Sequence, residues 1–336
     1  MAVVKRMEDR AYWPVIMFSS LNLFLWHLDA FKKGEDPVPL FVDAFDRTTR
    51  FLESTLASGV SGGHFPPVGA AAVDEGRFEK QVSGMFSDIW VGMSDDIYFD
   101  QSYKFTQERL EKSGADPVAL FKGKVVVDAG CGSGKFSAAI ARFGAKKVIG
   151  LDIGEKGLEF ARLQAAKVPY GSAIEYRNAS LLDIPLPAGS VDMVWSNGVI
   201  HHTVGYERCV KEFSRVLKPG GTLFLYVNGR FGLLELLTTT LRLATEVVPP
   251  TLFQHFIALL GVDSGRLYWI QDFLYAPYEY KPAADIKAML GRHGFGDLRQ
   301  LMRGVASDQI EQVSAGLSFA VVKYGEAQLK YLATKQ

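Results

Sequence analysis

Three glycines and an aspartate mark the part of the chain where a chemical role is easiest to predict. In VVVDAGCGSGKFS, residues 125–137, an apolar run leads into Gly130, Gly132 and Gly134. Glycines in a turn after a strand allow the backbone to approach a ligand closely. Asp128 lies two residues before the first glycine, where its carboxylate would attract a cationic ammonium group and repel a pyrophosphate. The ligand of this turn is therefore expected to carry a positive charge.

A second acid narrows the choice of ligand. Asp152 ends the next apolar run, KKVIGLD, 24 residues after Asp128, and a carboxylate at that place can accept both hydroxyls of a ribose. The dinucleotide pattern G-x-G-x-x-G would need glycine at position 135, where this chain has Lys135. A ligand with a ribose, a cationic amino-acid end and no phosphate is S-adenosyl-L-methionine, which we predict as the cofactor.

The elements that must hold these residues alternate along the chain from Lys124 onward. Apolar runs that read as strands are KVVVDAG, KKVIGLD, AIEYRN, VDMVWSN and TLFLYVN. Between them lie segments with helical spacing, FSAAIARFGA, KGLEFARLQAAK and YERCVKEFSRVLKPGG, the last closed by Pro-Gly-Gly. This order predicts an α/β fold with a parallel sheet covered by helices on both faces.

The rest of the chain reads mainly as helix. Residues 1 to about 60 and 78–114 show helical spacing, separated by a Gly/Pro-rich connection at 57–69. After the fifth strand come a helical stretch, about 231–276, and the helix ADIKAMLGRHG. The runs LRQLMRGV and LSFAVVKY then read as strands, and their short link favours a terminal hairpin.

Four motifs carry a resemblance to a known family. VVVDAGCGSG, VIGLD, VDMVWSNGVIHHT and FSRVLKPGGTLFL resemble the successive motifs of class I S-adenosylmethionine-dependent methyltransferases, most closely the type 11 small-molecule group. The resemblance covers about residues 120–230 and, more loosely, the terminal strands to 323. It implies a Rossmann-like, seven-stranded, mostly parallel sheet and S-adenosylmethionine-dependent methyl transfer. The helical segments that flank the strand ends would form a lid, which argues against a macromolecular substrate and favours a small, largely apolar or amphiphilic metabolite.

The resemblance also implies roles for individual residues. The glycines would lie under the methionyl and ribose portion, with Asp128 near the amino group, Asp152 on the ribose hydroxyls and Ile153 stacked on adenine. The segment from Asn178 to Leu181 resembles the adenine-edge loop, where family members often carry an acid and this chain does not. Asn197 resembles the residue whose backbone meets the methionyl end. The predicted cofactor-binding residues are Asp128, Gly130, Cys131 (through its backbone), Gly132, Gly134, Asp152, Ile153, Asn178, Ala179, Ser180 and Asn197.

His201 and His202 are the catalytic candidates. They follow the fourth predicted strand, on the side to which the transferable methyl group must point. A base is needed only where the acceptor carries a proton of high pKa, and the histidine at this place in the family is frequently structural. Both roles stay open. No acid pair accompanies the histidines at ligand spacing, so no metal site is predicted.

The predicted division of the chain follows from these elements. Residues 1–115 form a helical N-terminal cap, 116–230 the cofactor-binding sheet, 231–280 a helical substrate lid, 281–325 the completion of the sheet and 326–336 a tail.

The stretch LYWIQDFLYAPYEY is rich in aromatic residues, which either line a dry pocket around the sulfonium or form ordinary core. Tyr98 and Gln101 are further candidates for closing over the cofactor.

The amino-acid composition limits the kinds of partner that the chain is expected to bind. The 336 residues contain 37 basic and 37 acidic side chains, so no global charge attracts nucleic acid or a membrane surface. The uncharged run at 11–28 is interrupted by Pro14 and Asn22 and has helical apolar spacing, which favours a buried helix over a membrane span. The two cysteines, Cys131 and Cys209, fit a reducing, cytoplasmic setting. A small-molecule substrate is expected, and a homodimer is left open.

Two other readings of the same motifs remain. In the first, the methionyl amine attacks its own chain, which gives azetidine-2-carboxylate and methylthioadenosine, as in azetidine-2-carboxylate synthases on this fold. In the second, the chain binds the cofactor without catalysis and stabilises a complex. The product formed from the cofactor alone distinguishes the first from methyl transfer, and turnover by the purified chain excludes the second.

Overall fold

The computed structural model describes residues 2–7, 12–57, 93–203, 205–260, 264–276, 278–301 and 318–336. The chain divides into two compact units. The helical unit comprises Met1–Val73, Phe231–Ala276 and Val313–Gly325. The sheet unit comprises Asp74–Arg230, Pro277–Gln312 and Glu326–Gln336.

The sheet unit is built on seven strands in the order β3-β2-β1-β4-β5-β7-β6. Strands β1 to β5 are parallel, and β7 runs antiparallel to both of its neighbours. This confirms the predicted seven-stranded, mostly parallel sheet. The strands are β1 Val125–Ala129, β2 Lys147–Asp152, β3 Ile174–Asn178, β4 Val191–Asn197, β5 Leu217–Asn228, β6 Phe295–Gln300 and β7 Gln328–Lys335.

Helices cover the sheet and connect its parallel strands. A π-helix, Asp96–Gln101, continues directly into an α-helix, and two short 3₁₀ turns, Pro169–Ala173 and Ile200–His202, precede β3 and follow β4. The α-helices of this unit are α4 Ser102–Glu111, α5 Pro117–Phe121, α6 Lys135–Arg142, α7 Glu155–Ala165, α8 Tyr206–Val216 and α12 Ala283–Arg292.

The helical unit is described through seven helices. The predicted buried helix at 11–28 is α2, whose inner face buries Ile16, Leu21 and Phe24. None of the described helices has the combination of length and apolar character that crossing a bilayer requires. The helices are α1 Ala2–Lys5, α2 Trp13–Ala30, α3 Pro37–Ala57, α9 Leu233–Thr245, α10 Pro250–Leu259, α11 Ser264–Tyr275 and α13 Ala320–Tyr324.

The strand order fixes where a ligand can bind. Strand β1 has β2 on one side and β4 on the other. The strand order along the chain therefore changes direction at β1. In open α/β sheets a crevice forms at the carboxyl ends of the strands at this switch point. Val126, Val127 and Ala129 are fully buried, as expected for a central parallel strand covered on both faces. At this edge the glycine turn follows the end of β1, and Asp152 and Asn197 are the last residues of β2 and β4.

The end of the chain corrects one prediction. Residues 320–324 of the predicted strand LSFAVVKY form helix α13, and the predicted tail 326–336 contains strand β7. The β-branched pair Val321 and Val322 favoured a strand, but both side chains are exposed. Leu329 and Tyr331 are buried in the sheet core instead, because β7 lies between β5 and β6.

The segment LKPGG corrects a second prediction. Helix α8 ends at Val216, and Leu217–Asn228 is one strand, so Pro-Gly-Gly does not close the helix. Leu217 pairs with Val191, and the register then shifts before Thr222 pairs with Met193. The proline and glycines occupy this irregularity, a place where β-strands tolerate them.

The boundaries of the predicted cap and insertion also change. The π-helix and α4 belong to the sheet unit and not to an N-terminal arm that extends to residue 115. The insertion contributes Phe231–Ala276 to the helical unit, while Pro277 and the residues after it belong to the sheet unit. Three predicted stretches lie wholly or partly outside the described residues. They are 58–69 of the Gly/Pro-rich connection predicted at 57–69, 78–92 of the helical spacing predicted at 78–114, and MRGV after Leu301.

Candidate functional site

The glycine turn after β1 has a backbone that side chains would disrupt. Gly130, Gly132 and Gly134 have φ values of 78°, 55° and 81°, in the left-handed region that glycine adopts without strain. A Cβ on Gly130 would lie 2.3 Å from Val199, and one on Gly134 would lie 2.3 Å from the Tyr176 hydroxyl. The turn therefore requires glycine for both conformation and space at two of its three positions.

Asp152 connects the end of β2 to this turn. Its Oδ2 accepts a hydrogen bond from the Gly132 N–H at 2.9 Å, and its Oδ1 accepts one from the Gly154 N–H at 2.8 Å. Burial raises the pKa of Asp152, and the two backbone N–H groups oppose that shift. Each carboxylate oxygen has a second lone pair, so the side chain can still accept two hydroxyl groups.

Asp128 is more deeply buried than Asp152. It is 2% exposed, and its Oδ2 accepts a hydrogen bond from the Ser137 hydroxyl at 2.6 Å. Burial raises the pKa of Asp128 to about 7, with a further increase from the charge of Asp152. At neutral pH this carboxyl group is therefore close to half protonated. Its predicted place near a cationic amino group stays a prediction.

The loop after β3 packs on the end of β2. Asn178 donates through Nδ2 to the carbonyl of Ile153 and to Glu155, both at 3.1 Å. The Ala179 N–H donates to the carbonyl of Asp152 at 2.9 Å. Ser180 accepts from the N–H of Leu182 at 3.2 Å and so stabilises a turn. These bonds bring the predicted adenine-edge residues next to Asp152 and Ile153, whose own roles stay predictions.

Two residues proposed to close over the ligand have other contacts. The hydroxyl of Tyr98 donates to the carbonyl of Ser133 at 2.8 Å, and Tyr98 is fully buried. Its hydrogen bond therefore holds the backbone of the glycine turn. Gln101 is exposed and donates to Asp96 at 2.7 Å. Cys131 is buried, and burial raises the pKa of its thiol, which agrees with a backbone role.

Arg109 is a site residue that the sequence did not indicate. Its guanidinium is 3% exposed and donates through Nη1 to Oδ1 of Asn197 at 2.6 Å. It also lies 4.1 Å from the Phe105 ring centroid and 5.6 Å from that of Tyr226. Burial, together with the charge of Arg109, lowers the pKa of Lys135 to about 8. Positive charge is thus concentrated beside Asn197, 88 positions from Arg109 in the chain.

The two histidines lie in the 3₁₀ turn after β4. His201 is 2% exposed, whereas His202 is half-buried. Their ring centroids are 4.2 Å apart, and both contact Tyr278, which stacks on His201 at 4.8 Å with an interplanar angle of 14°. The backbone N–H of Glu279 donates to the carbonyl of His201 at 2.7 Å. Of the two, His202 is the more accessible to a substrate.

The aromatic stretch expected either to line a pocket or to form ordinary core is divided between the units. Phe273 and Tyr275 contact Phe24 and Phe253 within the helical unit, at 5.6 Å in each case. Tyr278 and Tyr280 stack on each other at 5.3 Å in the sheet unit, with Tyr278 also against the histidines. The side chains of Tyr268 and Trp269 lie outside the described set. No group of three metal-ligating side chains occurs in the described part of the chain.

Residues 127–225 match the family model described as a methyltransferase domain. The sheet unit contains a class I methyltransferase domain. The match begins in β1, includes the glycine turn and both histidines, and ends in β5. S-adenosylmethionine is the cofactor of this domain. The predicted family and fold are therefore confirmed for the sheet unit.

Several curated proteins that are similar to part of the chain are methyltransferases. The 27-O-demethylrifamycin SV methyltransferase of Amycolatopsis mediterranei is 30% identical over 45% of this chain and 56% of its own length. The ubiquinone biosynthesis O-methyltransferase of Mesorhizobium japonicum is 28% identical over 48% of this chain and 66% of its own length. A solved methyltransferase from Thermotoga maritima, titled a possible histamine N-methyltransferase, is 16% identical, with a TM-score of 0.45 over 76% of this chain and all of that one. The chain spans less than two thirds of the two curated relatives.

The residues of the methyltransferase domain fit the cofactor. Val199 and Tyr176 exclude any Cβ at Gly130 and Gly134, so the turn keeps a bare glycine backbone, and Asp152 is fixed with two acceptor lone pairs still available. Asp128 supplies a second carboxyl group at the end of β1. The two hydroxyls of a ribose and a cationic amine are groups that these two carboxyl side chains can bind.

Proposed function

We propose that the chain is an S-adenosylmethionine-dependent methyltransferase that acts on a small, enclosed metabolite in the cytoplasm. The observation that carries the proposal is the Asp152 carboxylate, which is hydrogen-bonded to the Gly132 N–H and thus joins the end of β2 to the glycine turn. An intact glycine turn and an intact acid at the switch point are the features expected of a domain that binds the cofactor. The names of the two curated relatives, which refer to a rifamycin and to ubiquinone biosynthesis, support a small organic acceptor.

Each part of the site has a proposed task. The glycine turn admits the methionyl and ribose portion, Asp152 accepts the ribose hydroxyls, and Ile153 stacks on adenine. Asp128 is proposed to face the amino group of the amino-acid end. The backbone of Asn197 is proposed to meet the same end, with its side chain fixed by Arg109.

The cofactor supplies an electrophilic methyl group on a positively charged sulfur. The protein then has to orient the acceptor and exclude water. We assign His202 as the group that takes a proton from the acceptor, because it is the accessible member of the pair. His201 is assigned a positioning role, because it is buried, stacks on Tyr278 and contacts the His202 ring.

Calorimetry with S-adenosylhomocysteine tests the proposal directly. We expect one binding site per chain on the purified protein, with an affinity lowered by Asp152→Ala. Incubation with S-adenosylmethionine and an acceptor should yield S-adenosylhomocysteine. Absence of binding would overturn the cofactor assignment, and methylthioadenosine as the product would replace methyl transfer by cyclisation. Sedimentation of the same sample tests whether the chain forms a homodimer, which the sequence leaves open.

A further inference from the structure

A continuous series of planar groups follows the carboxyl ends of β4 and β5. We call it the aromatic arc and define it as Phe105, Arg109, Tyr226, His201, Tyr278 and Tyr280. All six belong to the sheet unit. The methyltransferase family model covers only one of them, His201, so the arc is a feature of this chain beyond its cofactor motifs.

Neighbouring members of the arc are in contact or nearly so. Arg109 lies 4.1 Å from the Phe105 ring centroid and 5.6 Å from that of Tyr226. The Tyr226 and His201 centroids are 6.2 Å apart, and those of His201 and Tyr278 are 4.8 Å apart. Three successive rings, His201, Tyr278 and Tyr280, are nearly parallel, with interplanar angles of 14° and 15°. Tyr278 stacks on both His201 and Tyr280, so the three rings share one orientation.

The arc is also accessible and adjoins the catalytic candidates. Phe105, Tyr226, Tyr278 and Tyr280 are half-buried, whereas Arg109 and His201 are buried. His202 meets the Tyr278 ring edge-on at 4.2 Å. Four of the six side chains are therefore partly accessible, and Tyr278 lies next to the proposed base.

We infer that the acceptor is a planar, conjugated molecule with an acidic hydroxyl, a phenol or an enol, bound against the aromatic arc. The inference rests on the proposed function and deepens it. Flat conjugated molecules gain from offset stacking on such rings, and saturated ones of the same size do not. An imidazole can take a proton from a phenol, whose pKa is about 10, but not efficiently from an aliphatic alcohol.

The charges of the site agree with this chemistry. The Arg109 guanidinium stays protonated at all relevant pH values and favours a phenolate over a neutral hydroxyl. In the transfer, the hydroxyl proton goes to His202 and the oxygen forms a bond to the methyl carbon. The bond from that carbon to sulfur breaks, and its electron pair remains on sulfur. The products are a neutral thioether, a methyl ether and a protonated imidazole.

A matched pair of probes tests the inference on the full chain. Calorimetry with 2-naphthol and decahydro-2-naphthol, each in the presence of saturating S-adenosylhomocysteine, compares a conjugated with a saturated molecule of similar size. We expect 2-naphthol to bind about tenfold more tightly. Tyr278→Leu should remove most of this preference, and the control Tyr170→Leu, a tyrosine of the 3₁₀ turn before β3, should retain it.

The outcomes separate the inference from the proposed function. Equal affinity of the two probes on a wild-type chain that binds S-adenosylhomocysteine would overturn the inference and leave the cofactor assignment intact. A folded Tyr278→Leu variant that keeps the full preference would overturn the arc as its origin. If that variant does not fold, Tyr280→Leu at the outer end of the stack is measured instead, and an unchanged preference there counts against the arc. Failure to bind S-adenosylhomocysteine is a failure of the proposed function.

Discussion

The carboxylate of Asp152 accepts a hydrogen bond from the backbone N–H of Gly132 at 2.9 Å. The last residue of β2 is thereby joined to the middle of the turn that follows β1. Because the second oxygen accepts from the Gly154 N–H, the carboxylate is held from both sides in one orientation. A group fixed in this way can accept two ribose hydroxyls without losing conformational freedom on binding.

Asp152→Asn tests this relationship. The asparagine amide has only one oxygen, so its NH₂ must face either the Gly132 or the Gly154 N–H, and the charge is lost. Loss of one charge-assisted hydrogen bond costs about 1.5–3 kcal/mol, and we expect the Kd for S-adenosylhomocysteine to rise about 10- to 100-fold. Calorimetry measures it, with Asp183→Asn as the control on an exposed aspartate in the loop after β3. An unchanged Kd would contradict the ribose assignment.

Gly134→Ala tests the turn itself. The added methyl group would lie 2.3 Å from the Tyr176 hydroxyl in a residue with φ +81°, so both steric overlap and backbone strain result. We expect loss of cofactor binding and a fall in unfolding free energy of more than about 1–2 kcal/mol. Gly189→Ala is the matched control, because its φ is +60° and nothing lies within 4 Å of the added Cβ. Denaturant unfolding that shows equal losses in the two variants would mean that strain alone, and not the Tyr176 contact, explains the effect.

The features predicted correctly from sequence are those encoded by residues close together in the chain. The glycine turn, the strand before it and the helix after it lie within about 20 residues, and their spacing determines their geometry. Asp152 ends the next strand, and parallel pairing of β1 with β2 brings it to the same edge. Local pattern and sheet topology together were therefore sufficient to predict that the glycine turn and Asp152 lie at one edge of the sheet.

The features missed depend on tertiary contacts between distant residues. Nothing near Arg109 indicates that its guanidinium will reach Asn197, and nothing near Tyr278 indicates that it will stack on His201. The strand β7 was missed because the exposed pair Val321 and Val322 resembled a strand more strongly. Burial, which decided that case, is not visible in the sequence.

Asp128→Asn tests the buried acid through pH. The pKa of Asp128 is raised to about 7 in the folded chain, above its ordinary value near 4. The folded state then binds more protons than the unfolded state between these values, so the stability of the wild type falls as pH rises from 4 to 7. Asparagine can still accept from Ser137 but carries no charge, so we expect the variant to gain a few kcal/mol relative to wild type near pH 8.

Thermal or denaturant unfolding of both proteins at pH 5 and pH 8 measures this difference. The advantage of Asp128→Asn should be larger at pH 8 than at pH 5. The same variant should bind S-adenosylhomocysteine more weakly at pH 8, because the carboxylate proposed to face its amino group is gone. A pH-independent difference would contradict the raised pKa, and unchanged affinity would contradict the proposed role toward the amino group.

His202→Gln and His201→Gln separate the two histidines. General-base catalysis contributes about 10²–10⁴ in rate, so His202→Gln should lower kcat by about that factor with any acceptor that the wild type methylates. The Kd for S-adenosylhomocysteine should change little. His201→Gln should instead lower thermal stability, because it removes a buried ring stacked on Tyr278. The reverse pattern, with kcat dependent on His201 alone, would reassign the base.

Tyr98→Phe tests the support beneath the glycine turn. The Tyr98 hydroxyl donates to the carbonyl of Ser133, and both residues are buried, so no water can replace the lost donor without rearrangement. An unsatisfied buried acceptor costs about 1–3 kcal/mol, part of which should appear as a looser turn. We expect lower stability and an increase of about three- to tenfold in the Kd for S-adenosylhomocysteine. Tyr170→Phe is the control, since its half-buried ring lies in the 3₁₀ turn before β3.

The result also decides what an N-terminal truncation would show. A chain that starts near Asp116 lacks the π-helix and α4, and with them the Tyr98 and Arg109 contacts to the site. If this truncated chain shows no turnover, the loss cannot be assigned to the missing part of the helical unit alone. If Tyr98→Phe reduces affinity as expected while Tyr170→Phe does not, residues before the sheet take part in cofactor binding. Unchanged stability and affinity in Tyr98→Phe would show that the turn holds its shape through its own glycines and the Asp152 bond.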